Sequence, residues 1–271
     1  LFSISADDAL QAAVAKHFAQ SVLSSGEDKR RKRILDAARR TALDPVAFAT
    51  ALFVRSGLGW SILKTHGTPA QVESAFRARV HDGVLDLSDT EITWFPACMA
   101  DLGVTVLRLA RLPTAELPPV VSAMHGLRVL DLERSPITAL PDLSAHTALE
   151  ELDLHMTAFR SFPEAVRTAP ALRVLRVGTK GIRALPKWLD ALEALEELDL
   201  HGFQLASLPD GLFRPGLRVV RLSSFRMPPP DARVTRWTSL EQLDVYASDW
   251  DTVEHRESLA AWLPRVRIVG R

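Results

Sequence analysis

Residues Leu195 to Pro209 read LEELDLHGFQLASLP, with leucine at the first, fourth, sixth and eleventh places and Leu-Pro at the close. The same frame starts again at Asp82, Val104, Leu127, Leu149, Leu172, Leu195, Leu217, Leu240 and Leu263, in steps of 22 or 23 residues. Nine copies in register at that period predict a solenoid of stacked units, none of which can bury its apolar side alone. Within each copy, L-x-x-L-x-L has the period of two of a strand. Its leucines are expected in the core and its x positions on an open face. Successive strands are expected to pair in parallel, about 4.8 Å apart.

These residues resemble the leucine-rich repeat family, in its 22- to 23-residue form ending in Leu-Pro. The resemblance covers roughly residues 82 to 271 and implies an α/β fold: a right-handed horseshoe solenoid with a parallel concave sheet. It also implies a binding scaffold whose partner is another protein. Phe95-Pro96, Leu117-Pro118, Leu140-Pro141, Phe162-Pro163, Leu185-Pro186 and Leu208-Pro209 close the return segments. Stretches such as Trp188-Leu189-Asp190-Ala191-Leu192 then predict short helical turns on the convex side. Pro228-Pro229-Pro230 replaces Leu-Pro in the seventh copy, so an extended convex segment is expected there. The ninth copy keeps only Leu263, Val266 and Ile268 and is expected to be an exposed edge strand.

One departure from the family stands out. Position nine is usually Asn or Cys, whose side chain satisfies backbone groups in the turn. Here it is Thr90, Leu112, Ser135, Thr157, Lys180, Phe203, Phe225 and Ser248, and the chain contains no asparagine. The threonines and serines can do part of that bonding. The other turns need a different backbone geometry, or water.

Residues 1–81 read as helices. Ser5 and Asp8 resemble a capping box before an amphipathic stretch from Ala9 to Leu23. A second helix is expected from Glu27 to about Leu43. Asp44-Pro45 is an N-cap followed by a first-turn proline, with Gly57 as the stop. Thr68-Pro69, with Gln71 in the box position, starts a helix expected to end near His81. The plain role for this region is to cap the open end of a solenoid at 82–271. Lys29-Arg30-Arg31-Lys32-Arg33 is the one basic run. It opposes the helix dipole at a first turn and is either a solvated helix start or a patch for nuclear import, phosphate or acidic lipid.

Charge divides at the same boundary. Residues 1 to 80 hold 12 Lys and Arg against 7 Asp and Glu, and the rest hold 21 against 26. Cys98 is the one cysteine, so no intrachain disulfide is possible, which favours the reducing cytoplasm, or a host's cytoplasm for a delivered protein. No apolar run reaches the ~18 residues of a membrane span. No signal peptide is recognisable. Because the chain starts at Leu1, flanking domains beyond it are an open expectation.

On the concave face, position two reads Arg128, Glu150, Arg173, Glu196, Arg218, Glu241, and position five reads Asp153, Arg176, Asp199, Arg221, Asp244, Arg267. The sign alternates strand by strand, predicting self-neutralising columns of opposite charge. Such columns give little steering of a charged partner, so nucleic acid is not expected on this face. Residues beside them are expected to be more available. The protein-binding candidates are Arg108, Arg111, Glu133, Arg134, His155, Met156, His201 and Tyr246. His155 and His201 stand two strands apart, roughly 10 Å, too far to share a metal ion.

No phosphate-binding glycine loop, H-E-x-x-H, paired cysteines or G-x-S-x-G occurs, and neither a catalytic constellation nor a cofactor is expected in this chain. Cys98 sits in Pro-Ala-Cys-Met-Ala-Asp and lacks the C-x-D motif of bacterial effectors that join leucine-rich repeats to a ubiquitin ligase. The reading is therefore a protein-interaction scaffold, with intracellular bacterial repeat proteins, effectors among them, as the similar group. The alternative is the substrate-recognition half of a larger enzyme, such as a ubiquitin ligase, with its catalytic domain outside these 271 residues.

Overall fold

The computed structural model describes residues 26–40, 43–90, 92–179 and 181–270. The helix expected over Ala9 to Leu23 lies outside them, as does Lys180. The described residues open with four helices: α1 (Glu27–Arg40), α2 (Pro45–Ser56), α3 (Trp60–His66) and α4 (Pro69–Arg79). Their ends follow local chemistry. The Asp44 carboxylate accepts from the Ala47 N–H at 2.7 Å, and Pro45 opens α2. Gly57 takes φ 71°, which only glycine adopts without strain, and its N–H closes the helix on the Phe53 carbonyl. Thr68 and Gln71 form a reciprocal capping box at α4. α4 stops at Arg79, short of the expected His81.

Nine strands follow: β1 (Val84–Asp86), β2 (Val106–Arg108), β3 (Val129–Asp131), β4 (Glu151–His155), β5 (Val174–Gly178), β6 (Glu197–Leu200), β7 (Val219–Arg221), β8 (Gln242–Asp244) and β9 (Arg267–Val269). They form one parallel sheet in chain order. The register places position four of every copy in one row: Leu85, Leu107, Leu130, Leu152, Leu175, Leu198, Val220, Leu243 and Ile268. All but Ile268, on the edge strand, are fully buried, and Leu87, Leu109, Leu132, Leu154, Val177, Leu200, Leu222 and Val245 make a second buried row. Each such side chain contributes roughly 1.5–3 kcal/mol when taken from water. This continuous spine holds the solenoid together. It also extends without a break into Ile34, Phe48, Phe53 and Phe76 of the helices.

Arg79 fastens the two parts. Its guanidinium donates to the Phe53 carbonyl of α2 and, at 2.8 Å, to the Asp86 carbonyl of β1. It also lies over the Phe53 ring, and burial lowers its pKa.

The return segments carry short 3-10 helices at Ala97–Asp101, Pro119–Ala123, Glu164–Thr168, Lys187–Ala191, Asp210–Leu212 and Ala232–Arg236. The last of these corrects the expectation for the seventh copy. The prolines at 228–230 belong to no helix or strand, but Asp231 then caps a new turn by accepting from the Arg233 N–H, so the segment regains its helix. The third copy has only a single turn, and no 3-10 helix, after Pro141. Its Asp142 carboxylate instead accepts from the Ser144 N–H and hydroxyl. The eighth copy was not anticipated: α5 (Val253–Trp262) is a full α-helix capped by Thr252.

Position nine works as a mixed column. Thr90, Thr157 and Ser248 donate to the carbonyls of Leu87, Leu154 and Val245. Ser135 reaches across to the Leu109 carbonyl and accepts from the Leu112 N–H, so leucine is tolerated next door. Phe203 and Phe225 are buried, and there the backbone pairs with itself. The Arg226 N–H donates to the Phe203 carbonyl and the Leu205 N–H to the Arg226 carbonyl, both at 2.8 Å. This is the alternative turn geometry that the loss of asparagine required.

Candidate functional site on the concave face

Strand positions three and five project from the sheet, and position two flanks them. At position two the expected column forms. Arg128 binds Glu150 at 2.8 Å, Arg173 binds Glu196 at 2.8 Å, and Arg218 binds Glu241 at 2.7 Å while standing 3.9 Å from Glu196. The arginine hydrogen bonds hold Glu150 and Glu196 below the usual carboxylate range.

Position five differs from the expected column. Two of its arginines reach diagonally backward to position three of the preceding strand: Arg176 to Glu151 and Arg221 to Glu197 at 3.2 Å. Its aspartates other than Asp199 turn onto the backbone. Asp131, Asp153 and Asp244 each accept, at 2.9 Å, from the N–H two residues on. The signal that points to the diagonal pairs is position three itself, where Glu151, Val174, Glu197 and Val219 alternate acid with valine. At position five the charge is neutralised mainly across to position three, with Arg176 also 4.0 Å from Asp153 of its own column.

At position eight the chain turns out of the sheet with positive φ at Asp89, Arg111, Arg134, Met156, Gly202, Ser224 and Ala247. That backbone throws the side chains outward along one rim. Met156 is 59% exposed, and Tyr246, at position seven, is 49% exposed. Arg108 is exposed and has no ion pair within 4 Å among the described residues. Arg111 is less available than expected, because it makes a two-pronged pair with Asp89. Arg134 stays exposed while touching the Met156 sulfur and Glu133, each at 3.3 Å, and Glu133 is half-buried.

His155 and His201 are closer than the strand spacing suggests. Their rings meet edge to face with centroids 6.4 Å apart, against the roughly 10 Å expected from two strand steps. The cause is Gly178 on the strand between them. A Cβ there would sit 2.7 Å from His155 Cδ2 and 3.0 Å from the His201 carbonyl oxygen. His155 is half-buried, with Nδ1 3.7 Å from Asp153 and Nε2 3.4 Å from Asp199, the latter off the hydrogen-bond line. Burial pulls its pKa down most strongly, but Asp199 and then Asp153 outweigh that and leave it raised. Burial also raises Asp153. His201 is exposed.

Among the described residues, no three His, Cys, Asp or Glu side chains converge as metal ligands, and no helix is long and apolar enough to cross a membrane. Cys98 is half-buried on a 3-10 turn, where burial pushes its thiol pKa up, against nucleophilic use. The basic run is divided by its helix: Arg30 is buried and Arg31 half-buried beside His66, with Lys29, Lys32 and Arg33 outside.

No protein-family model matches the chain, and no curated protein matches it in sequence. Solved structures do resemble it. A leucine-rich repeat protein of Leptospira interrogans superposes with a TM-score of 0.61 at 20% identity, over 74% of this chain and 50% of that one. Internalin C2 of Listeria monocytogenes gives 0.53 at 20% identity, over 61% of this chain and 72% of that one. The chain thus spans half the length of the Leptospira protein.

Proposed function

We propose that this leucine-rich repeat protein is an interaction scaffold that docks a protein partner on its concave face, with residues up to 81 capping the solenoid of 82–271. The observation that carries the reading is the rim at positions seven and eight. Two of the three large hydrophobic side chains that are exposed among the described residues, Met156 and Tyr246, stand there, four strands apart or about 19 Å. Exposed methionine and aromatic side chains are what protein interfaces use as anchors. Arg108 adds an unpaired cation on the same face. Most other charges on it are engaged with one another, so they give register and little long-range pull. Arg111, Glu133, Arg134, His155 and His201 complete the surface as its supporting frame.

The test is affinity capture with the whole chain, from the native cytosol and from a suspected host's, against a variant carrying Arg108→Glu, Met156→Ala and Tyr246→Ala. A partner retained by the native chain and lost by the folded variant supports the reading. A partner retained equally by both removes the concave face from it.

A further inference from the structure

His155 occupies a position that suits only one of its protonation states. Both ring nitrogens face carboxylates: Nδ1 stands 3.7 Å from Asp153 of its own strand, and Nε2 stands 3.4 Å from Asp199, two strands away. A neutral imidazole carries hydrogen on one nitrogen only, so its other lone pair would point at a carboxylate. The imidazolium carries hydrogen on both. Asp199 is also unlike the other aspartates of its column. Asp131, Asp153 and Asp244 accept from the N–H two residues on, whereas no such bond ties Asp199 to His201. Its carboxylate faces His155 instead.

We propose that His155 is a pH-sensitive clamp in the centre of the concave face, tying β4 to β6 through Asp199 when protonated, with Asp153 of its own strand facing its other ring nitrogen, and releasing β6 when neutral. Gly178 of the intervening β5 makes this possible by leaving open the space that a side chain would fill. The groups facing the ring are Asp153 of β4, Arg176 of β5, and Asp199 and His201 on the β6 side; among them Arg176 opposes the proton. The clamp is independent of what the face binds. Its proton changes the charge there by one unit, so it gives the surface an acid form and a neutral form. The folded state binds this proton more tightly than the unfolded chain does. The stabilisation is therefore complete at acid pH and fades as pH rises through the folded-state value.

The experiment follows the His155 ring signal by NMR in the full chain with isotope-labelled histidine, over roughly pH 5 to 8. The signal is assigned by its disappearance in H155Q. Its midpoint is expected above that of the same residue in the urea-unfolded chain. In D199N it should fall, because burial then acts against a single carboxylate. A native midpoint at or below the unfolded value overturns the clamp, as does a midpoint unmoved in D199N. Should D199N not fold, the urea stability of the native chain against H155Q decides. The difference must shrink as pH rises, and a constant difference overturns the proposal.

Discussion

Phe203 and Phe225 stack with ring centroids 5.6 Å apart and planes 23° from parallel, at position nine of adjacent repeats, where the family usually places a polar side chain. Both are buried, and the turn backbone beside them is already paired with itself. The rings therefore act as core, and asparagine has no hydrogen-bonding work left to do there. Phe225→Ala is expected to cost about 3–5 kcal/mol in urea denaturation. Phe225→Asn should do no better, since it buries an amide without partners. A Phe225→Asn chain as stable as the native one would show that the turn still wants the polar residue.

Trp250 has a related task. It is fully buried and its indole N–H donates to the Pro228 carbonyl at 2.7 Å, serving the proline stretch of the preceding repeat. Trp237 does the same for the Leu212 carbonyl one repeat earlier. Trp250→Phe keeps most of the packing but leaves that carbonyl without its donor. The expected loss is about 1–3 kcal/mol by thermal or urea unfolding. No loss would mean that water replaces the indole.

How far these features were legible depends on how local they are. The row from Leu85 to Ile268 follows from period and register alone, and the caps at Asp44 and Thr68 follow from four residues each. The convex helices of the seventh and eighth repeats were not legible because they depend on competition. Three prolines forbid a helix only where they stand, and Asp231 restarts one immediately after. In the eighth repeat, the helix-forming run after Thr252 outlasts a single turn. On the concave face, alternation within a column was visible, but the pairing was not, because an arginine at position five is long enough to reach another column. The approach of His155 to His201 needed three strands read together, with the absent side chain of Gly178 in the middle.

That glycine is testable in its own right. Gly178→Ala puts a methyl group against His155 Cδ2 and the His201 carbonyl oxygen. Overpacking of this kind costs about 1–3 kcal/mol. The imidazole protons of His155 and His201 should also lose their mutual nuclear Overhauser effect. Retention of that signal at native stability would show that the sheet opens without difficulty and that the gap is not needed.

The position-two column should appear in the acid limb of stability. Glu150 and Glu196 have folded-state pKa values held down by Arg128 and Arg173 respectively. Such carboxylates stabilise above their unfolded-state pKa, and the contribution is lost as pH falls through the folded value. Replacing Glu196 by Gln should flatten the acid-side slope slightly, by lowering stability a little at neutral pH and leaving it unchanged at the acid end. Added salt should weaken the native slope, because these pairs are exposed to solvent. An acid limb identical in native and E196Q chains, at low and high salt alike, would count against the column.

Ala247 gives the cleanest measure of the rim's backbone. It takes φ 55° in the eighth repeat, where Gly202 takes φ 76° at the same position of the sixth. A left-handed conformation costs a residue with a Cβ roughly 1–2 kcal/mol relative to glycine. Ala247 is exposed, and its N–H is held by Asp251 at 2.9 Å, a bond that glycine retains. Ala247→Gly loses little packing, although the unfolded chain gains entropy. The balance favours a gain of up to about 1 kcal/mol in urea denaturation. Gly202→Ala, the converse change, should destabilise by a similar amount, since its added Cβ meets no neighbour within 4 Å and only the backbone resists. If both substitutions shift stability in the same direction, conformational strain is not what separates the two turns.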